Sequence, residues 1–315
     1  MGERITLQSA YGQTLKELGS KYPNLVVLDA DLSKITQTVH FAKAFPDRFF
    51  NVGIAEQNLM AITAGLATTG MIPVANTYAC FATMRACEQV RTFIAYPNLN
   101  AKIVALSAGI EEGWSGVTHQ AIEDMAIMRT IPNMTVVAPS DAFLTKKATE
   151  AIIAHKGPVY MRFGRNAFPV IYDEQVSFTL GKAIRLREGK DVTLIACGIM
   201  VERALRAAEL LEKERISVRV LDMHTIKPLD EAAVLEAAKE TGALVSAEDH
   251  LVSSGLGGTV AECLAAHWPA PLERIGLQDR FGETGHPDRL FEKYAMTEHH
   301  IAEAAKRAIQ RKRQK

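Results

Sequence analysis

Gly53-Ile54-Ala55-Glu56-Gln57-Asn58 runs directly into Leu59–Thr69, a stretch of Leu, Met, Ala, Ile, Thr and Gly that carries no charge. A segment that apolar is buried. The β-branched runs on either side of it, Leu25–Leu28 and Ile72–Asn76, make it the helix of a strand–helix–strand unit. Glu56 enters the interior with that helix or sits at its edge. Desolvating a carboxyl without a partner raises its pKa by up to about 3–5 units, so a buried Glu is normally given a hydrogen-bond partner. A ligand is one candidate for that partner. The alternative is an ordinary acidic residue at a helix start, favoured by the macrodipole by about 0.3–1 kcal/mol.

The same alternation continues outward. Ile103–Leu106, Thr135–Ala138 and Val159–Phe163 read as further strands, and Ser140-Asp141 opens a helix that runs to about Ala154. After a polar connector the order repeats. Asp191–Cys197, Val218–Asp222 and Ala243–Ala247 are strands, and helices span Val201–Glu214, Asp230–Glu240, Gly257–His267 and Glu298–Arg311. The expectation is an α/β protein of two domains, 1–172 and 191–315, joined by a linker at 173–190, with a parallel sheet covered by helices on both faces.

The chain has 315 residues, 48 % hydrophobic and 23 % charged, and its 36 basic residues balance 36 acidic ones. With no net field, nothing supports binding to nucleic acid or to a membrane surface. The basic run Arg311-Lys312-Arg313-Gln314-Lys315 reads as a solvated tail. No run is long enough for a membrane span and no signal-peptide pattern is present. Cys80, Cys87, Cys197 and Cys263 make no metal-binding spacing and read as small hydrophobes in a reducing cytoplasm.

Three features accompany Glu56. Thr77-Tyr78-Ala79-Cys80-Phe81 places two aromatics at a strand's C-terminal end, the edge where open α/β sheets gather ligands. Either ring offers a stacking face to a flat heterocycle, although aromatic pairs are more often core packing. Gly113-Trp114-Ser115-Gly116-Val117-Thr118-His119-Gln120 is a glycine-punctuated loop ending in a histidine that is a reasonable proton donor near neutral pH. Asp29-Ala30-Asp31 closes the first strand; for Asp29 a plain helix cap is the stronger reading.

Together these segments resemble the transketolase family of thiamine diphosphate enzymes. VGIAEQN, the aromatic strand end, the GxxGxTHQAIEDMAIMR stretch and VVAPSDA match its pyrimidine-binding domain in order and spacing, and EDHLVSSGLGGTVAE and DRFGETG match its C-terminal domain. The resemblance implies transfer of a two-carbon ketol unit from a ketose to an aldose. Glu56 would exchange a proton with the cofactor's pyrimidine ring, and Phe81, with Tyr78 as second choice, would stack on it. Asp31 and Leu32 would line the thiazolium. His119 would contact the ketol hydroxyl. The family holds the diphosphate and a divalent metal, magnesium above all, through a GDG…N motif in an N-terminal domain. No GDG occurs here. The resemblance therefore implies the C-terminal subunit of a split enzyme, with a separate GDG-bearing subunit in an α2β2 assembly.

The departures lie on the substrate side. Gln8 stands where a basic residue is expected, Ile35 where a serine is expected, and Ser107 where a histidine is expected; all three places help hold a terminal phosphate. Arg165 matches the remaining anion-binding arginine. Trp114-Ser115 replaces an acidic pair, so Ser115 marks altered sugar recognition. Losing charge-assisted bonds of about 1.5–3 kcal/mol each points to a ketose that is unphosphorylated or carries another head group such as a sulfonate. The rival readings are the β subunit of a 2-oxo acid dehydrogenase, the synthase that joins pyruvate to glyceraldehyde 3-phosphate, and a non-catalytic partner subunit.

Overall fold

The computed structural model describes residues 3–314, so Met1, Gly2 and Lys315 of the basic tail lie outside it. Alternation of side chains along the buried strand Leu25–Asp29 sets the layering of the first half. Leu25 and Val27 face a cluster built on Leu7, Tyr11, Leu15 and Ile152, whereas Val26 and Leu28 face Leu59, Met60 and Ile94. Helices Leu7–Lys21 and Ala142–Ala154 supply the first face; Glu56–Thr68 supplies part of the second.

The sheet between them has seven strands in the order Thr225–Lys227, Thr135–Val137, Val159–Phe163, Lys102–Leu106, Ile72–Tyr78, Leu25–Asp29, Phe49–Asn51. All neighbours are parallel except the first pair. That first strand comes from the second half of the chain. The second sheet orders Leu272–Leu277, Leu244–Leu251, Val192–Ala196, Val218–Asp222 and Ile184–Arg187, again parallel except for the last strand. Ile184–Arg187 falls inside the expected linker 173–190, so the connector is shorter than the polar composition suggests. Its polar residues sit on a half-exposed edge strand, where alternation is weak. Among the described residues no helix is long and apolar enough to cross a membrane, and the four cysteines are free thiols.

The two halves are joined by more than chain continuity. One apolar cluster combines Leu28 and Met60 with Ile195, Leu221 and Leu256. Polar clamps run beside it. Asp141 caps the helix Ala142–Ala154 through Leu144 N–H and also accepts from the N–H groups of Ile171 and Tyr172 at 2.8 Å, fixing where the connector starts. Asp222, fully buried, accepts from Ser140 Oγ at 2.5 Å and Tyr172 OH at 2.9 Å. Burial pushes the Asp222 carboxyl up from 3.8 to about 7. The folded protein therefore holds this proton more tightly than the unfolded chain, and the Asp222 contribution to stability falls as pH rises from about 4 to about 7. His224, whose burial lowers its value from 6.5 to about 4, acts in the opposite sense. Comparing wild type with Asp222→Asn cancels the histidine. Urea melts at a series of pH values are expected to show the variant gaining on wild type between pH 4 and 7 and no further change above.

Candidate active site

Four adjacent parallel strands, Val159–Phe163, Lys102–Leu106, Ile72–Tyr78 and Leu25–Asp29, end on the same edge of the first sheet. Arg165, Ser107 and Asp31 lie one or two residues beyond three of those ends, and Tyr78 is the last residue of the strand between the latter two. A parallel sheet brings residues distant in sequence to one crevice in this way.

Glu56 is the first residue of its helix and is only 2 % exposed. Its Oε2 accepts from Arg85 at 2.7 Å. Arg85 ends a π-helical turn, Phe81–Arg85, closed by Ala86 N–H on the Phe81 carbonyl. The wider turn sets Arg85 above the ring of its own first residue, with the guanidinium carbon 4.0 Å from the Phe81 centroid. Phe81 also meets Tyr78 edge-on at 6.0 Å, and His119 packs against both rings, at 5.4 Å from Tyr78 and 5.2 Å from Phe81. Glu56, Phe81, Tyr78 and His119 are therefore one contiguous group. Arg85 was not legible as a member, because its partner lies 29 residues away and only the fold joins them.

Asp31 and Leu32 approach from the first strand. Asp31 adopts a left-handed φ of 64° and is exposed. Asn51 donates to its carboxylate at 2.8 Å and accepts from its N–H and from Gly53 N–H, which ties this corner to the loop leading into Glu56. Leu32 N–H donates to Asp29 at 2.5 Å, and Thr36 and Thr38 hydroxyls donate to the other oxygen of Asp29. Asp29 is thus structural, but it does not cap the helix Ser33–Thr36, whose N-cap is Leu32; it ends its strand and fixes the turn that follows.

On the far side of Tyr78 lie the residues expected to meet the substrate. Gln8 is buried and donates to the Arg165 carbonyl at 2.7 Å. The Arg165 guanidinium bonds Glu112 at 3.0 Å, and Ser115 Oγ donates to the same carboxylate oxygen at 2.5 Å. Ser107 is fully buried at a left-handed φ of 58°, and its hydroxyl has no partner among the described residues. Burial raises the Tyr78 phenol, and the Glu112 carboxylate pushes in the same direction. Glu111 accepts from the N–H groups of Arg165 and Asn166 at 2.6 and 2.8 Å, while burial lifts its carboxyl from 4.5 to about 7. Neither glutamate stood out in the sequence, where an acidic pair reads as solvated.

The loop carrying Glu111 and Glu112 is held from the second half. Asp249 accepts from Ile110 N–H at 2.9 Å and Glu111 N–H at 3.2 Å. Gly109, at φ +82°, lies against that carboxylate, with no room for a Cβ. Gly109→Ala combines a strained φ with a clash and is expected to lower stability by about 2 kcal/mol or more, read as a shifted urea midpoint.

Residues 3–170 match the transketolase pyrimidine-binding domain and residues 181–301 match the transketolase C-terminal domain. The chain belongs to the transketolase family. It is 49 % identical over 299 residues to a protein of Methanocaldococcus jannaschii described as a transketolase C-terminal section, covering 94 % of each chain. It is 45 % identical to a 6-deoxy-6-sulfo-D-fructose transketolase subunit of a Clostridium species, covering 98 % of this chain and 96 % of that one. Among solved structures, a split-gene transketolase described as an inactive β4 tetramer superposes with a TM-score of 0.92 at 49 % identity, covering 97 % of this chain and 99 % of the other. Transketolases use thiamine diphosphate, bound in part through the pyrimidine-binding domain.

Proposed function

We propose that this chain is the C-terminal subunit of a split transketolase and that, joined to an N-terminal subunit, it transfers a two-carbon ketol unit from a ketose to an aldose. The observation that carries the proposal is the Glu56–Arg85–Phe81 contact. A planar group rich in N–H donors lies over the Phe81 ring while bonding a buried carboxylate at its rim. An aminopyrimidine asks for the same two interactions, so the residues present fit that end of the cofactor. The bound cofactor supplies a stabilised carbanion equivalent at its thiazolium carbon.

The chain's own groups have separate tasks. Glu56 holds and returns a proton at the pyrimidine rim, in a site dry enough for that bond to be strong. Phe81, backed by Tyr78, provides the stacking face. Asp31 and Leu32 border the thiazolium end. His119, half-buried against both aromatic rings, donates to the ketol hydroxyl. The diphosphate and its divalent metal, magnesium by resemblance, belong to the partner's GDG motif, and the domain boundary falls in the connector before Ile184. The solved relative described as an inactive β4 tetramer supports self-association and an inactive state for the chain alone. The α2β2 working assembly rests on the family resemblance.

The relatives reported above favour ketol transfer over the dehydrogenase and non-catalytic readings. Mixing the chain with a GDG-bearing N-terminal subunit, thiamine diphosphate and Mg2+ tests it. Ketol transfer is expected from the mixture and from neither subunit alone. Decarboxylation of a 2-oxo acid with acyl transfer to lipoamide, without ketol transfer, would reverse the reading.

A further inference from the structure

The Glu112 carboxylate is almost completely buried, and the proposed transketolase chemistry leaves it without a task. One oxygen takes both Arg165 and Ser115; the other, Oε2, has no hydrogen-bond partner among the described residues. The Arg165 side chain is about two-fifths exposed, while its chain neighbour Asn166 and its own N–H are pinned by Glu111. Gln8 holds its carbonyl from behind. The one arginine that matches the family's anion-binding position is therefore already neutralised by an internal acid, and the acid is locked in place by its loop. An anion arriving at Arg165 meets a pair of zero net charge with a desolvated carboxylate behind it. A phosphate dianion suffers most from that arrangement, because its repulsion with Glu112 scales with its charge.

Building on the split-transketolase reading, we infer that Glu112 is a specificity-determining residue that acts through Arg165. It cancels the charge at the sugar-tail end of the cleft and so disfavours ketoses ending in a phosphate dianion relative to those with a neutral tail. Glu112 need not touch the substrate; it sets what Arg165 can do.

The test uses the reconstituted two-subunit enzyme and a matched pair of donors, D-fructose and D-fructose 6-phosphate, with 3-hydroxypyruvate as a tail-less control. Glu112→Gln keeps the shape and the acceptor for Ser115 while removing the charge. It is expected to raise the phosphate-to-neutral ratio of kcat/KM by at least about tenfold, through KM and not kcat. In an Arg165→Gln background the same change is expected to leave the ratio where it was. A merely structural Glu112 would lower both donors together in either background, and that result overturns the inference. A variant-free measurement stands beside it. Inorganic phosphate is expected to inhibit wild-type turnover of D-fructose with an inhibition constant above about 1 mM, and tighter competitive inhibition overturns the inference. Turnover of 3-hydroxypyruvate with an unchanged ratio defeats only the role of Glu112, whereas no turnover of any donor defeats the transketolase reading as well.

Discussion

Glu56→Ala is expected to reduce ketol transfer by the assembled enzyme about 10²–10⁴-fold, with substrate KM values changed far less. The carboxylate acts in proton movement at the pyrimidine rim and makes no contact with the sugar in this reading, so its loss falls on kcat. The fold should survive the change. Glu56 sits at the start of its helix, and the side chain it leaves behind, Arg85, is 46 % exposed and remains hydrated. Glu56 itself is buried, but solvent screens the pair from its Arg85 side, so losing it is expected to cost about 1 kcal/mol. Paired measurements of turnover and urea midpoint check both halves of the expectation. An active Glu56→Ala enzyme would remove the basis of the assignment, and an unfolded one would show that the ion pair matters more to the fold than its exposure indicates.

The largest effect on stability is expected at Arg162. Its guanidinium pairs with Asp124 at 3.0 Å and donates to the Asp249 carbonyl at 3.1 Å, with both acids buried. Tyr160 OH donates to the other oxygen of Asp124 at 2.6 Å, and His250 and Glu248 lie close by. Arg162→Met removes the only cation paired with Asp124 within hydrogen-bonding distance among the described residues and leaves the acid stranded in the interior. Breaking a buried pair from one side costs about 3–5 kcal/mol. Arg162→Met combined with Asp124→Asn is expected to recover part of that loss, since the stranded charge is then gone. Urea unfolding of the single and double variants gives the coupling directly. Activity should fall too, because Asp249 holds the loop that carries Glu111 and Glu112.

Much of this architecture is legible in the sequence. Leu25–Leu28, Ile103–Leu106, Val159–Phe163 and Val218–Asp222 are β-branched runs buried on both faces, and such runs declare themselves. Asp141 and Asp230 announce their helices as caps. Glu56 stood out for a physical reason, a carboxylate entering an uncharged helix. What was hidden is tertiary. Thr225–Lys227 is three residues long and pairs with a sheet from the other half, and Phe49–Asn51 is as short. The strand expected at Ala243–Ala247 continues to Leu251 because Glu248, Asp249 and His250 are polar yet buried, whereas periodicity reads such a run as a strand's end. Arg85 and Glu112 were invisible as site residues for the same cause: each acquires meaning only from a partner brought up by folding.

Because Thr225–Lys227 closes one flank of the seven-stranded sheet, the N-terminal half does not own its boundary. A fragment ending near residue 172 would expose the main-chain N–H and C=O groups of Thr135–Val137 as an open template for strand addition. Such a fragment should self-associate or require a surrogate strand, and a short peptide spanning 222–229 supplied in trans is the natural candidate to keep it monodisperse.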